Sequence, residues 1–118
     1  MQDLKARYKL FAISVGTLIQ KLPKNTINIA YSNQLIRSSS LPGTNYRAAC
    51  RGKSLPDFIN KLKIVEEELD ESIYFLELLE HFNTDLKTPL NGLIKEANEL
   101  LAITVKSIQT ARTKSRNK

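Results

Sequence analysis

The sequence predicts an all-α protein, an antiparallel four-helix bundle, on three observations. Long stretches repeat apolar residues at alternating steps of four and three, the signature of one helix face. The breaks between stretches, around Pro23, Gly52 and Asn83, span only a few residues, which makes successive helices antiparallel neighbours. Finally, 118 residues fit one domain, and a chain of that length buries roughly two thirds of its unfolded surface. Residues 1–118 are therefore expected to form a single bundle.

The first helix is expected over residues 3–22. Leu4, Tyr8, Phe11, Val15, Leu18 and Leu22 mark its apolar face, Lys5, Arg7 and Lys9 cluster on its early turns, and Pro23 ends it. Asn25 or Thr26 then suits an N-cap. The second helix is expected over 26–52, with Ile29, Ala30, Leu35 and Ile36 inward. Pro42 removes a backbone donor and crowds the preceding turn, which predicts a kink or a local break at 38–43. Small residues there (Ser38, Ser39, Gly43, Ala48, Ala49) allow close approach of a neighbour, and Gly52 is the expected stop.

The third helix, 54–82, organises the rest. Ser54 caps it, Pro56 suits the first turn, and Asp57 sits where the helix dipole favours an anion. Phe58, Leu62, Val65, Leu69, Ser72, Leu76 and Leu79 form its inner row, with Ile59 and Ile73 widening the stripe. At ~1.5 Å per residue this helix is about 40 Å long, and a stripe of that width must be covered by the other segments. Thr84 or Asp85 is expected to cap the fourth helix, 86–111, whose row is Leu86, Leu90, Leu93, Ile94, Ala97, Leu101, Thr104, Ile108 and Ala111. Residues 112–118 read as a frayed basic tail.

Net charge is +6, but unevenly laid out. Residues 1–53 hold nine Lys/Arg against Asp3 alone, residues 54–99 hold eleven acidic residues against four basic, and residues 100–118 add five basic and no acidic ones. Such polarity suits a polyanion partner or complementary contact between subunits, and equally a solvated charged face. The single Cys rules out an internal disulfide framework and suits a reducing compartment. No apolar run approaches the ~20 residues of a membrane span, and residues 1–5 lack the layout of a signal peptide. The expectation is a cytoplasmic protein with no membrane partner.

Four runs carry a family resemblance. They are Gln34-Leu35-Ile36-Arg37-Ser38-Ser39, then Gly43 with Asn45-Tyr46-Arg47 and Ala49-Cys50-Arg51, then Asp57-Phe58-Ile59 with Lys61-Leu62 and Ile64-Val65, and then Glu68, Asp70-Glu71-Ser72, Tyr74 and Leu76-Glu77-Leu78-Leu79. Together with Glu96-Ala97-Asn98-Glu99-Leu100-Leu101-Ala102-Ile103 they resemble the 23S rRNA intervening-sequence proteins, small bacterial four-helix bundles to which the accessory proteins of diversity-generating retroelements are similar. The resemblance spans essentially the whole chain. It implies a homo-oligomer, a ring of five around a pore, without catalysis or cofactor. From the retroelement branch it implies nucleic acid and a reverse transcriptase as partners. Pro42 departs from the family pattern, which puts the smoothness of the second helix in question, and Ala48 stands where an acidic residue is common, so that carboxylate's pairing is absent.

The residues offer little to an enzyme. His81, the only histidine, ends a helix and has no specified Ser, Cys or Asp pairing. Cys50 follows two alanines with no nucleophile signature. Glu66, Glu67 and Glu68 fan around their helix, and no Glu-x-x-His pair accompanies them, so no metal site is expected. The nucleic-acid candidates are Tyr46, Arg47, Arg51 and Lys53, with Lys106, Arg112, Lys114 and Arg116 towards the C-terminus. Arg and Tyr together contact phosphate and stack on unpaired bases. The alternative is that Arg47 and Arg51 pair with acidic residues of the third helix or another subunit, and that Tyr46 is core. The expected function is a non-enzymatic, oligomeric RNA-binding or scaffold protein, or else an adaptor ring that docks an enzyme such as a reverse transcriptase.

Overall fold

The computed structural model describes residues 3–117. Four helices account for most of them: α1 (Leu4–Lys21), α2 (Thr26–Cys50), α3 (Leu55–Phe82) and α4 (Lys87–Arg116), with a 3-10 turn over Thr84–Leu86 and no strand among the described residues. Each helix packs against its neighbours in sequence, and α4 closes the square against α1. The pairs α1/α3 and α2/α4 lie across the diagonals. The result is an all-α four-helix bundle, 53 × 22 × 20 Å.

Three starts are fixed by side-chain caps. Asp3 accepts from the Ala6 amide (3.2 Å), Asn25 from Asn28 (2.8 Å) and Ser54 from Asp57 (3.2 Å), each satisfying a first-turn donor the helix cannot. The fourth start differs from expectation. Neither Thr84 nor Asp85 caps α4. These residues form the 3-10 turn, closed by Leu86 N–H on the Asn83 carbonyl at 3.0 Å, which runs directly into Lys87. Pro89 follows within the first turn of α4, where its missing N–H has no partner to lose.

Two other boundaries shift. Of the kink or local break expected at 38–43, a break is absent: α2 is the one long helix expected and runs through Pro42. Hydroxyls of Ser38, Ser39 and Ser40 donate to the carbonyls of Leu35 and Ile36 along this stretch, and Thr44 and Asn45 donate to Leu41. The chain from 112 to Arg116 continues α4, so the basic residues there are carried on a helix that runs past the expected end at 111. Gly52 follows α2, as expected of a stop, without a left-handed conformation. Its role is space: an added Cβ would lie 2.7 Å from Asp57 Oδ2 and 3.0 Å from the Ala49 carbonyl.

The main core joins Tyr8, Phe11, Val15, Leu18 and Leu22 of α1 to Leu35 of α2, to Val65, Leu69, Ile73, Leu76 and Leu79 of α3, and to Leu90, Ala97 and Leu100 of α4. A smaller cluster at the other end holds Ala49, Leu62 and Ile108 with Tyr46, Phe58 and Ile59, and takes nothing from α1. The second helix corrects the sequence reading most. Ile29 and Ile36 are 50% and 43% exposed and Ala30 is exposed, while Asn28, Ser32, Ser38, Ser39 and Pro42 are buried beside Leu35. Polar partners make that inward face possible, because buried polar groups are tolerated only when hydrogen-bonded. Ser38 meets Ser72 at 3.0 Å, and Asn28 meets Asn83.

Candidate nucleic-acid interface

The cations of α1 separate by helix face. Arg7 turns towards α4, where Nε and Nη2 donate to the two Glu96 carboxylate oxygens at 2.7 and 2.6 Å and Nη2 reaches Glu99 at 3.0 Å. This forked pair clamps α1 to α4. Its hydrogen bond, opposed by burial and aided by the opposite charge, holds the Glu96 carboxyl below its ordinary range and raises the Arg7 guanidinium. Lys5 and Lys9, one turn apart, lie on the other side of α1 and face α2 instead.

There they meet Arg47. Lys5, Lys9 and Arg47 rim a groove of about 130 Å³ between α1 and α2, with Ser40 and Thr44 on its wall and Tyr8, Ala12 and Gly43 beneath. Gly43 faces Tyr8 closely here, and a Cβ at that position would lie 3.4 Å from Tyr8 Cβ, in van der Waals contact. All three cations are exposed, and among the described residues none of them makes an ion pair within 4 Å. Arg51, one turn beyond Arg47, ends α2, and Lys53 lies in the connection to α3. Both are exposed and equally without an ion pair among the described residues.

Tyr46 is turned the other way. It is half-buried, its ring centroid 5.0 Å from that of Tyr8. Burial, reinforced by its contact with Cys50, pushes its hydroxyl up to about 12. One ring face is thus committed to Tyr8. The Tyr8 hydroxyl itself is buried and lies 2.8 Å from Thr104 Oγ1, whose own proton goes to the Leu100 carbonyl, so Tyr8 is the donor.

The C-terminal candidates do not join the first groove. Lys106 and Lys114 line a second one of about 270 Å³ with Leu55, Phe58, Ser107, Thr110 and Ala111. Arg112 and Arg116 are exposed and line neither groove. Lys118 lies outside the described residues. The eight sequence candidates thus fall in several places. Lys5 and Lys9, which complete the first site, were visible only as a one-turn spacing on α1, with nothing to say which helix they would face.

The acidic side is α3. Burial and the neighbouring Glu71 push the Glu68 carboxyl up, with Arg37 opposing, and Glu71 keeps one buried carboxylate oxygen without a partner among the described residues. Among the described residues no three of His, Cys, Asp and Glu converge as a metal site. His81 is exposed, its ring edge-on to Phe82. No helix among the described residues is long and apolar enough to cross a membrane.

No protein-family model matches the chain, and no curated protein matches it in sequence. Among solved structures, it is similar to a protein of unknown function from the S23 ribosomal protein family of Bacteroides thetaiotaomicron VPI-5482. The identity is 28%, over 90% of this chain and 98% of that one, with a TM-score of 0.77. The likeness extends from fold to sequence.

Proposed function

We propose that this protein is a non-enzymatic, oligomeric nucleic-acid-binding or scaffold protein of the cytoplasm, with RNA as its preferred polyanion. The observation that supports this most is the groove where Lys5, Lys9 and Arg47 converge without internal counter-charges. Unpaired cations around a cleft attract phosphate with an energy that falls steeply with salt. The S23 ribosomal name of the similar structure, and the resemblance to rRNA intervening-sequence proteins, favour RNA over DNA.

Assembly into a ring, five subunits by that resemblance, would repeat each groove by symmetry and add weak contacts through avidity. Apolar side chains left outside the core support association: Tyr74 and Phe82 on α3 are 58% and 50% exposed, and Ile29 and Ile36 on α2 are 50% and 43% exposed. Filter binding to a single-stranded RNA at two salt concentrations tests the reading. Retention at low salt that falls as salt rises is expected, and no retention at low salt would overturn it.

A second reading, an adaptor that docks an enzyme such as a reverse transcriptase, is favoured by the apolar floor of the second groove. An adaptor need show no salt-dependent RNA binding.

A further inference from the structure

Helix α1 is shorter than the bundle it belongs to. It has 18 residues against 28 in α3 and 30 in α4. Tyr8 is level with Thr104 through their hydrogen bond, so Leu4, one turn earlier, lies level with Ile108 on antiparallel α4. The Asp3 cap stops α1 there. From Ile108 to Arg116, about two turns, α4 has no α1 beside it, and the smaller apolar cluster is built by three helices alone.

The second groove lies at this end, beyond the described start of α1. Leu55, Phe58 and Ala111 form its floor at this end of the bundle interior, which elsewhere is filled from α1 by Tyr8, Phe11, Val15 and Leu18. Exposed Lys106 and Lys114 stand on its α4 wall, eight residues or ~12 Å apart. Neither has an ion pair among the described residues. Arg51, Lys53, Arg112 and Arg116 add to the positive field of this end, against which Asp3 and Asp57 are the carboxylates nearby.

From this geometry we infer that the open end is a seat for an acidic amphipathic helix of a partner protein, which completes the four-helix square. The floor calls for apolar residues at steps of three and four. The lysines call for carboxylates two turns apart on the helix flank. A phosphate chain would satisfy the lysines and leave the apolar floor uncovered, whereas an amphipathic helix satisfies both. The seat is independent of the polyanion groove between α1 and α2, so either can fail without the other.

The probe is a fluorescein-labelled synthetic peptide of about 14 residues, with Leu along one face and two Glu two turns apart on its flank, titrated with the full chain. The control is a peptide of the same composition without an apolar face. Saturable binding of the first, with the control roughly tenfold weaker or worse, is expected. The double variant Lys106→Glu/Lys114→Glu should lose roughly tenfold or more in affinity, and Thr110→Trp, which fills the groove from an exposed position, should lose affinity with charge unchanged. Circular dichroism checks that both variants fold. Equal binding of the two peptides, or none, overturns the inference. Displacement of the peptide by single-stranded RNA as readily as by unlabelled peptide assigns the groove to nucleic acid and overturns it as well. A wild-type oligomer that dissociates in the charge-reversed variant assigns the seat to a second copy of this chain, and that too overturns the inference.

Discussion

Asn28 and Asn83 exchange two amide hydrogen bonds, at 2.9 and 2.8 Å, and thereby tie the first turn of α2 to the residue that ends α3. Their remaining amide protons go to the Pro23 and Leu79 carbonyls, so every donor of the pair is used. A buried network of this kind fixes register, because sliding either helix would strand the two donors and two acceptors that cross between them. It also closes off two connections at once, since Pro23 belongs to the α1–α2 link and Asn83 to the α3–α4 link.

Breaking half of this pair should be costly, and breaking all of it less than twice as costly. Asn28→Leu or Asn83→Leu leaves the other amide buried and unmatched, an expected loss of about 1–3 kcal/mol each. The double variant should lose less than the sum. Urea unfolding of the four proteins measures the coupling, and strict additivity would show that the two amides do not act as a unit.

A second prediction concerns acid. The folded Glu96 carboxyl titrates below its unfolded value because Arg7 holds it. Its contribution to stability is therefore present above the unfolded pKa and is lost as pH falls through the folded one. Wild type should melt above Glu96→Gln at pH 7, and the gap should close below about pH 4. A gap that persists unchanged at pH 3 would mean that Glu96 stabilises by packing and not by charge.

Much of the fold was legible because α1 and α3 bury what their sequences advertise. Phe11, Val15, Leu18, Leu62, Leu69 and Leu76 are buried as their spacing requires. In α4 the row was nearly right but omitted Leu100, which is fully buried one residue before half-buried Leu101. The second helix was misread because its inward stripe is polar. Asn28 and Ser38 meet partners on distant segments, Ser39 bonds back to Ile36 within its own helix, and periodicity of apolar residues cannot see a partner. The candidate site was half legible for the same kind of reason. Arg47 and Arg51 could be placed on one face from their spacing, but the partition of Lys5 and Lys9 from Arg7 depends on which helix flanks each side of α1.

That misreading yields a third prediction. If Leu35 is the large apolar residue by which α2 enters the core, Leu35→Ala should cost about 2–5 kcal/mol. Ile29→Ser/Ile36→Ser, on the exposed side, should change the stability of the single bundle by only about 0.5 kcal/mol per site. The same pair should shift any self-association towards smaller species, read by native mass spectrometry at micromolar concentration. A double serine variant that unfolds readily would place these isoleucines in the core, contrary to their exposure.

The last prediction separates positioning from bulk attraction in polyanion binding. Lys5, Lys9 and Arg47 are held by two packed helices around one groove, whereas Arg112 and Arg116 lie in the final turns of α4 and line neither groove. Replacing Lys5, Lys9 and Arg47 by Gln should weaken RNA binding and change the preference between single-stranded and duplex forms, because fixed cations select the spacing of phosphates. Deleting residues 112–118 should weaken binding to every sequence alike and flatten the plot of log affinity against log salt, by roughly 0.7–0.9 for each phosphate no longer neutralised. None of these side chains forms an ion pair among the described residues, so neither change removes an internal partner and stability should hold. Filter binding of the three proteins with single-stranded and duplex RNA at two salt concentrations is sufficient. If the groove variant loses affinity equally for both RNA forms and the deletion does the same, the groove adds charge alone, and the cations of α1 and α2 have no positioning role.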